Sequence, residues 1–125
     1  MAIFTAAEQT YADMIVDQLD PDRKLFSHRL YRQHCFRIDD VYVKDLRIIG
    51  DRDLEDMLIV DNSIISFAFQ LDNGIPICAF FGSSTLDQEL LFLITYLEEV
   101  YHQKDCRVAN QKTFKLMEML KTKTD

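Results

Sequence analysis

No two cysteines in this sequence stand at C-x-x-C spacing. Cys35, Cys78 and Cys106 are odd in number and far apart, which excludes a zinc knuckle or a thioredoxin motif and reads as free thiols in a reducing compartment. His28, His34 and His102 have no ligand spacing either and are expected to be structural or exposed. With only 3 Gly and 2 Pro, long flexible linkers are excluded. The longest apolar run, Leu90 to Leu97, is interrupted by Thr95 and falls well short of the roughly 20 residues that span a bilayer. Met1-Ala2-Ile3-Phe4-Thr5 has neither the basic start nor the apolar stretch of a secretory signal. The chain therefore reads as soluble and intracellular, nuclear or cytoplasmic rather than mitochondrial. Positive charge is also in deficit. A net charge of −7 repels nucleic acid at long range, so direct nucleic-acid binding is not expected. It also repels phosphorylated substrates, so phosphate chemistry would need a local cation or metal.

What is present is an ordinary globular composition, 48% hydrophobic and 28% charged over 125 residues, which is one domain or part of one. A chain of this length buries about two thirds of its unfolded surface. Ala2-Ile3-Phe4 reads as the end of a buried strand with Thr5 at its tip. The spacing of Tyr11, Met14, Ile15 and Leu19 predicts a helix over 6–19 with that stripe buried, stopped by Asp20-Pro21-Asp22. Residues 25–43 alternate, with strand candidates at 26–31, 35–38 and 41–43 and a turn at Asp39-Asp40. Met57-Leu58-Ile59-Val60 is the clearest buried strand and ends at Asp61-Asn62-Ser63. Asp72-Asn73-Gly74 is a turn, and 75–81 reads as another strand. Ser84 or Thr85 is expected to cap a helix running to Tyr101, with Leu86, Leu90, Leu93, Ile94 and Leu97 buried. A last helix is expected over 114–120, with Phe114, Met117 and Leu120 as its stripe. Tyr31, Tyr42, Tyr96 and Tyr101 are expected to pack. Strands alternating with helices argue for an α/β architecture with a largely parallel sheet and flanking helices, and for a small β-rich insertion around 25–43. In such sheets ligands bind beyond the carboxyl ends of the strands, where Thr5 and Asp61-Asn62 fall.

These segments resemble the FCP-homology (NLI-interacting-factor-like, small C-terminal-domain phosphatase) branch of the haloacid dehalogenase superfamily. Ile3-Phe4-Thr5-Ala6-Ala7, Tyr11-Ala12-Asp13, Leu19-Asp20-Pro21 and Arg29-Leu30-Tyr31-Arg32 with Cys35 resemble its second motif region. Val43-Lys44-Asp45-Leu46 and Arg52-Asp53-Leu54 resemble the third, and Leu58-Ile59-Val60-Asp61-Asn62-Ser63 the fourth. Asp72 to Ile77 resembles the family's next segment, and the helix ending at Tyr101 resembles its C-terminal helix. The resemblance runs from Ile3 to about Arg107, making 1–107 a partial phosphatase domain and 108–125 a C-terminal amphipathic helix and tail. It implies a HAD-like fold and phosphoryl transfer to an aspartate, through a phospho-aspartyl intermediate that water hydrolyses. It implies that Thr5 hydrogen-bonds a phosphoryl oxygen, that Lys44 neutralises charge, that Asp61 orients Lys44, and that Asn62 ligates Mg²⁺. Tyr11 and Arg32 match positions that contact a phosphopeptide. Taken singly, each has an ordinary explanation: a threonine after a strand caps a helix, a lysine is solvated, and Asp-Asn-Ser makes a turn.

The family's first motif, an apolar strand ending in D-x-D-x-T with the nucleophile as its first aspartate, is absent from these residues. Asp20-Pro21-Asp22 and Asp51-Arg52-Asp53 have part of the spacing, but no apolar strand precedes either and no threonine follows in place, so both read as loop or helix-start acids. The expectation is therefore an N-terminally truncated domain, inactive by itself. Two alternatives stand beside it. One is a non-catalytic binding module similar to the phosphatase-like subunit of the mitochondrial inner-membrane import translocase. The other is a pseudo-phosphatase, against which the intact Lys44, Asp61 and Asn62 argue. Without the central strand, each backbone group left buried and unpaired costs about 1–3 kcal/mol. The 125-residue chain is thus expected to melt broadly or aggregate in a far-UV circular dichroism thermal scan; a sharp cooperative transition from soluble monomer contradicts that.

Overall fold

The computed structural model describes residues 1–82 and 86–124, except the side chains of Leu120 and of 122–124. Residues 1–45 and 46–125 form two compact units.

In the first unit, β1 (Ala2–Phe4), α1 (Gln9–Leu19) and β2 (His28–Leu30) make a parallel pair joined by a helical crossover, with Ile3 opposite Arg29. Parallel neighbours need such a crossover because a tight turn can only join antiparallel strands. A 3₁₀ turn at Arg32–His34 leads into β3 (Phe36–Ile38) and β4 (Val41–Val43), an antiparallel hairpin. Asp39 turns it with φ 52°, a left-handed conformation that Asp tolerates better than most residues. The β-rich stretch thus divides: its first strand pairs with β1, and the rest is an antiparallel hairpin.

The predicted apolar stripe of α1 is overturned. Ala12 and Val16 face inward, while Tyr11, Met14, Ile15 and Leu19 are exposed. Ion pairs set the helix's rotation. Asp13 and Asp17, each next to an inward residue, both bind Arg29 Nη1 of β2, at 3.0 and 2.7 Å. The helix starts at Gln9 rather than Ala6, because the Ala7 N–H donates to Thr5 Oγ1 (3.1 Å) in a turn. It ends at Asp20 as expected. The Asp20 carboxylate is buried and accepts the N–H groups of Lys24, Leu25 and Phe26 at 2.8, 3.1 and 3.2 Å. Burial pushes its carboxyl up. The three N–H donors, with Arg29, outweigh burial and hold it below the usual carboxylate range.

In the second unit, β5 (Ile59–Asp61) and β6 (Gly74–Pro76) are parallel, linked by a kinked 3₁₀ segment, Ile64–Asn73. The two parallel pairs and the hairpin are three separate two-stranded ladders, so the described residues show parallel pairs rather than one broad sheet. The core is Leu46, Met57, Ile59, Phe67, Leu71 and Leu116, with Phe67 fully buried. Buried amides close it. Asn73 Nδ2 donates to Leu54 O and Met57 O at 2.6 and 2.8 Å. Asn110 Nδ2 donates to Asp72 O and Gly74 O at 2.8 and 2.7 Å, and its Oδ1 accepts from Tyr96 Oη.

Further expectations change. The strand predicted over 75–81 is ordered as β6 only to Pro76. α2 (Glu89–Tyr101) starts later than expected, and a cap at Ser84 or Thr85 lies outside the described residues. Its stripe is exposed at Leu86, Leu90, Ile94 and Leu97, and only Val100 of this helix is buried. The last helix is two: α3 (Cys106–Phe114) and α4 (Leu116–Thr124) meet at Lys115, whose φ is 51°. The Asp105 carboxylate caps α3 by accepting Arg107 N–H at 2.9 Å, and Leu116 replaces Met117 as the buried residue. Leu120 falls outside the described side chains. Tyr31 and Tyr96 pack as expected, whereas Tyr101 is exposed. No helix among the described residues is long and apolar enough to cross a membrane.

A Cβ on Gly74 would meet the Phe67 ring at 2.1 Å. Gly74→Ala should destabilise by about 1–3 kcal/mol through overpacking, read as a lower urea midpoint at unchanged slope.

Candidate active site

Thr5 follows β1 and is held in place from two sides. Its N–H donates to Leu30 O of β2 at 2.9 Å, and its Oγ1 accepts from Ala7 N–H. Since the hydroxyl accepts that amide, its own proton is directed elsewhere. Arg32 follows β2 at the matching end of the parallel pair. Its N–H donates to Ala7 O at 3.1 Å, its Nε to Ala6 O at 2.7 Å, and its Nη1 approaches Glu8 at 3.3 Å. Thr5 and Arg32 thus bracket one short turn. Arg32 also lies over the Tyr42 ring, 5.1 Å from its centroid, and Tyr42 stands two residues before Lys44.

Lys44 directly follows β4 and is 9% exposed, unlike the solvated lysine its residue type leads one to expect. Tyr11 lies exposed on α1. In the second unit, Asp61 ends β5. Its Oδ1 accepts the Ser63 N–H at 2.9 Å and its carbonyl accepts from Ile77 N–H. Asn62 is exposed beyond it. Thr5, Tyr11, Arg32 and Lys44 belong to residues 1–45 and Asp61 and Asn62 to 46–125, and the structure brings Thr5 and Arg32 together within the first.

The two sequence stretches with partial D-x-D spacing take structural places. Asp20 caps the end of α1, and Asp53 precedes the 3₁₀ turn Leu54–Asp56. The carboxylates of Asp53, Glu55 and Asp56 lie within 4.8 Å of one another.

Sequence reasoning missed a polar network behind the Thr5–Arg32 turn. Arg29, with a side chain 9% exposed, binds Asp13 and Asp17, and Tyr31 Oη donates to Asp13 Oδ1. Arg29 Nη2 is buried without a hydrogen-bond partner. A signal was available: Arg29 and Tyr31 share one face of a period-2 strand, and Asp13 and Asp17 share one face of a helix. The Tyr31 hydrogen bond, opposed by burial and aided by Arg29, holds the Asp13 carboxyl below the usual range. The Asp13 bond in turn raises the Tyr31 phenol.

The profile of the NLI interacting factor-like phosphatase family matches residues 1–107, and the chain belongs to that family. It is 42% identical over 118 residues to CTD small phosphatase-like protein 2 of Dictyostelium discoideum, covering 94% of this chain and 20% of that protein. It is 48% identical over 98 residues to CTD small phosphatase-like protein 3 of Caenorhabditis elegans, covering 78% and 33%. Against Nuclear envelope morphology protein 1 of Schizosaccharomyces pombe the identity is 39% over 107 residues, covering 86% and 22%. The chain thus spans between a fifth and a third of these relatives' length. It is a phosphatase-like domain.

Because the native Asp13 value is lowered, its contribution to stability is complete above the unfolded value of about 4 and is lost as pH falls through the native value. Tyr31→Phe removes the largest cause and should move the Asp13 carboxyl titration upward, followed by carbon-13 NMR of the side chain. An unchanged titration would remove Tyr31 as that cause.

Proposed function

We propose that these residues supply the phosphate-binding and substrate-binding part of a protein-serine/threonine phosphatase that works through a phospho-aspartyl intermediate, on a phosphoprotein such as the C-terminal tail of RNA polymerase II. The observation that carries the reading is the Thr5–Arg32 pairing at the carboxyl ends of parallel strands, where open α/β sheets bind ligands. The Thr5 hydroxyl donates to a phosphoryl oxygen. The Arg32 guanidinium, braced by Ala6 and Glu8, receives the phosphopeptide, with Tyr11 exposed to meet the same substrate. Lys44 neutralises charge on the phosphoryl group, and burial away from bulk water strengthens that interaction. The relatives' names, which include nuclear envelope and small phosphatase proteins, support nuclear or cytoplasmic work on phosphoproteins.

Mg²⁺ takes oxygen ligands in an octahedral shell. The exposed Asn62 amide and the adjacent Asp61 carboxylate are donors of that kind, so the residues present fit part of such a shell, and Asn62 would hold the ion. When bound, the ion supplies charge neutralisation at phosphoryl oxygens. The attacking carboxylate is not among these 125 residues, so this chain by itself is inactive. That same lack favours one other reading, a non-catalytic binding module.

Phosphate release from phosphoserine peptides with Mg²⁺ separates the two. The 125-residue chain should release none. A longer chain carrying a D-x-D-x-T strand should turn over, and its Lys44→Ala variant should lose about 10²–10³ in kcat/KM. No turnover by the longer chain supports the binding module, and unchanged turnover in Lys44→Ala takes Lys44 out of the mechanism.

A further inference from the structure

We propose that Arg37, on the β3–β4 hairpin, is a specificity-determining residue beside Arg32, and that the substrate is a phosphopeptide carrying an aspartate or glutamate two residues from its phosphoserine. This role rests on the reading of Thr5 and Arg32 as the phosphate-binding turn.

The Tyr42 ring joins the two arginines. The guanidinium carbons of Arg32 and Arg37 lie 5.1 and 6.0 Å from its centroid. Two cations at those distances from one ring are no more than about 11 Å apart. The hairpin's register dictates the second contact. Arg37 stands directly opposite Tyr42, and directly opposed residues of an antiparallel pair meet on one face. Arg37 is thus carried on the same face of the hairpin as the ring that Arg32 covers. The ring's quadrupole attracts both guanidiniums. A side chain already held in this way loses less freedom when an anion arrives.

Arg37 keeps donors for a ligand. Its Nε donates to Asp39 O at 2.9 Å, which orients the guanidinium. Its Nη2 is 3.8 Å from Asp40, and both side chains of that pair are exposed, so the pair contributes little. Nη1 has no hydrogen bond among the described residues. The Arg37 side chain is 63% exposed and open to an arriving carboxylate, which a guanidinium matches with charge-assisted N–H···O bonds.

The spacing follows from the peptide. An extended chain advances about 3.3 Å per residue and sends residues i and i+2 to the same face, about 7 Å apart. A phosphoserine at the Thr5–Arg32 turn therefore brings an acidic residue two positions away within reach of Arg37, whereas the adjacent residue points to the other face. The chain's net charge of −7 repels an acidic peptide as a whole. A preference for the acidic peptide consequently reports a local cation and not general attraction.

Three fluorescein-labelled peptides of about nine residues, long enough to extend past both arginines, test this by fluorescence anisotropy. One has phosphoserine with glutamate two residues to either side. Its twin has glutamine at both places, and a third is the glutamine peptide with unmodified serine. The 125-residue chain has no nucleophile to consume them. It should bind the glutamate peptide about threefold tighter than the glutamine twin, and added salt should shrink that ratio. Arg37→Gln, at an exposed site, should bring the ratio to about one or below. In a longer chain carrying the D-x-D-x-T strand, the same preference should appear in kcat/KM, through KM. If phosphoserine adds nothing to the affinity of the glutamine peptide, the reading of Thr5 and Arg32 fails and the role of Arg37 falls with it. If phosphoserine adds affinity but the glutamate and glutamine peptides bind alike, or the ratio survives Arg37→Gln, the role of Arg37 alone is overturned.

Discussion

Every strand among the described residues is three residues long, and the fold depends on what satisfies the backbone polar groups that such short ladders leave over. A buried amide or carbonyl without a partner costs about 1–3 kcal/mol, and three-residue strands leave many in the connecting chain. Buried polar side chains meet that need. Asp20 takes three N–H groups of the chain after α1. Asn73 and Asn110 each donate to two carbonyls, and Gln70 accepts from Leu46 N–H. The chemistry of each position is one-sided. A carboxylate suits Asp20 because only donors surround it. An amide NH₂ suits Asn73 and Asn110 because carbonyls surround it, and a carboxylate there would set acceptor against acceptor.

The same economy shapes the two strand tips that carry the candidate site. Thr5 Oγ1 accepts the N–H of Ala7, and Asp61 Oδ1 accepts the N–H of Ser63. In both, a side-chain oxygen at the carboxyl end of a parallel strand caps the amide two residues on, a local turn that Asp and Thr favour. The turn ends the strand and fixes the side chain in one step. A residue chosen for ending a strand is therefore already aimed at the region where an α/β sheet receives its ligand. This is why a structural explanation of Thr5 or Asp61 does not compete with a chemical one.

That coincidence also explains what the sequence made legible. β1, β5, the hairpin at 36–43 and the stop at Asp20 each had a local signal: an apolar run, an alternation or a proline. The strand-tip residues followed from them, and the family resemblance matched their order. The inward faces of the helices had no such signal. Apolar periodicity marked Tyr11, Met14, Ile15 and Leu19, but Arg29 grips Asp13 and Asp17 and turns Ala12 and Val16 inward. That constraint joins residues distant in sequence, and a small residue such as Ala12 adds little to an apolar pattern. α3 was missed for a related reason. Its sequence, CRVANQKTF, is polar, and it is held by the Asp105 cap and by Asn110's bonds to carbonyls rather than by an apolar stripe. The burial of Lys44 was likewise invisible, since nothing in Val43-Lys44-Asp45 distinguishes a buried lysine from a solvated one.

A net charge of −7 is an awkward property for a phosphate-handling domain, and the distribution of charge resolves much of it. Residues 1–45 carry six Lys and Arg against eight Asp and Glu, while 46–125 carry eight against thirteen. The acid surplus falls mostly on the second unit, including Asp53, Glu55 and Asp56. In the first unit, several acids are already committed to cations: Asp13 and Asp17 to Arg29, and Glu8 to Arg32. Exposed charge more than about 10 Å away is screened at ordinary ionic strength. The cation fixed beside Thr5 is Arg32, held against the turn by Ala6 and Ala7. Global charge sets how the chain repels polyanions at a distance, and the fixed cations set what it can hold at contact. The net charge of the chain and the charge beside one strand tip are therefore separate properties, set by different residues.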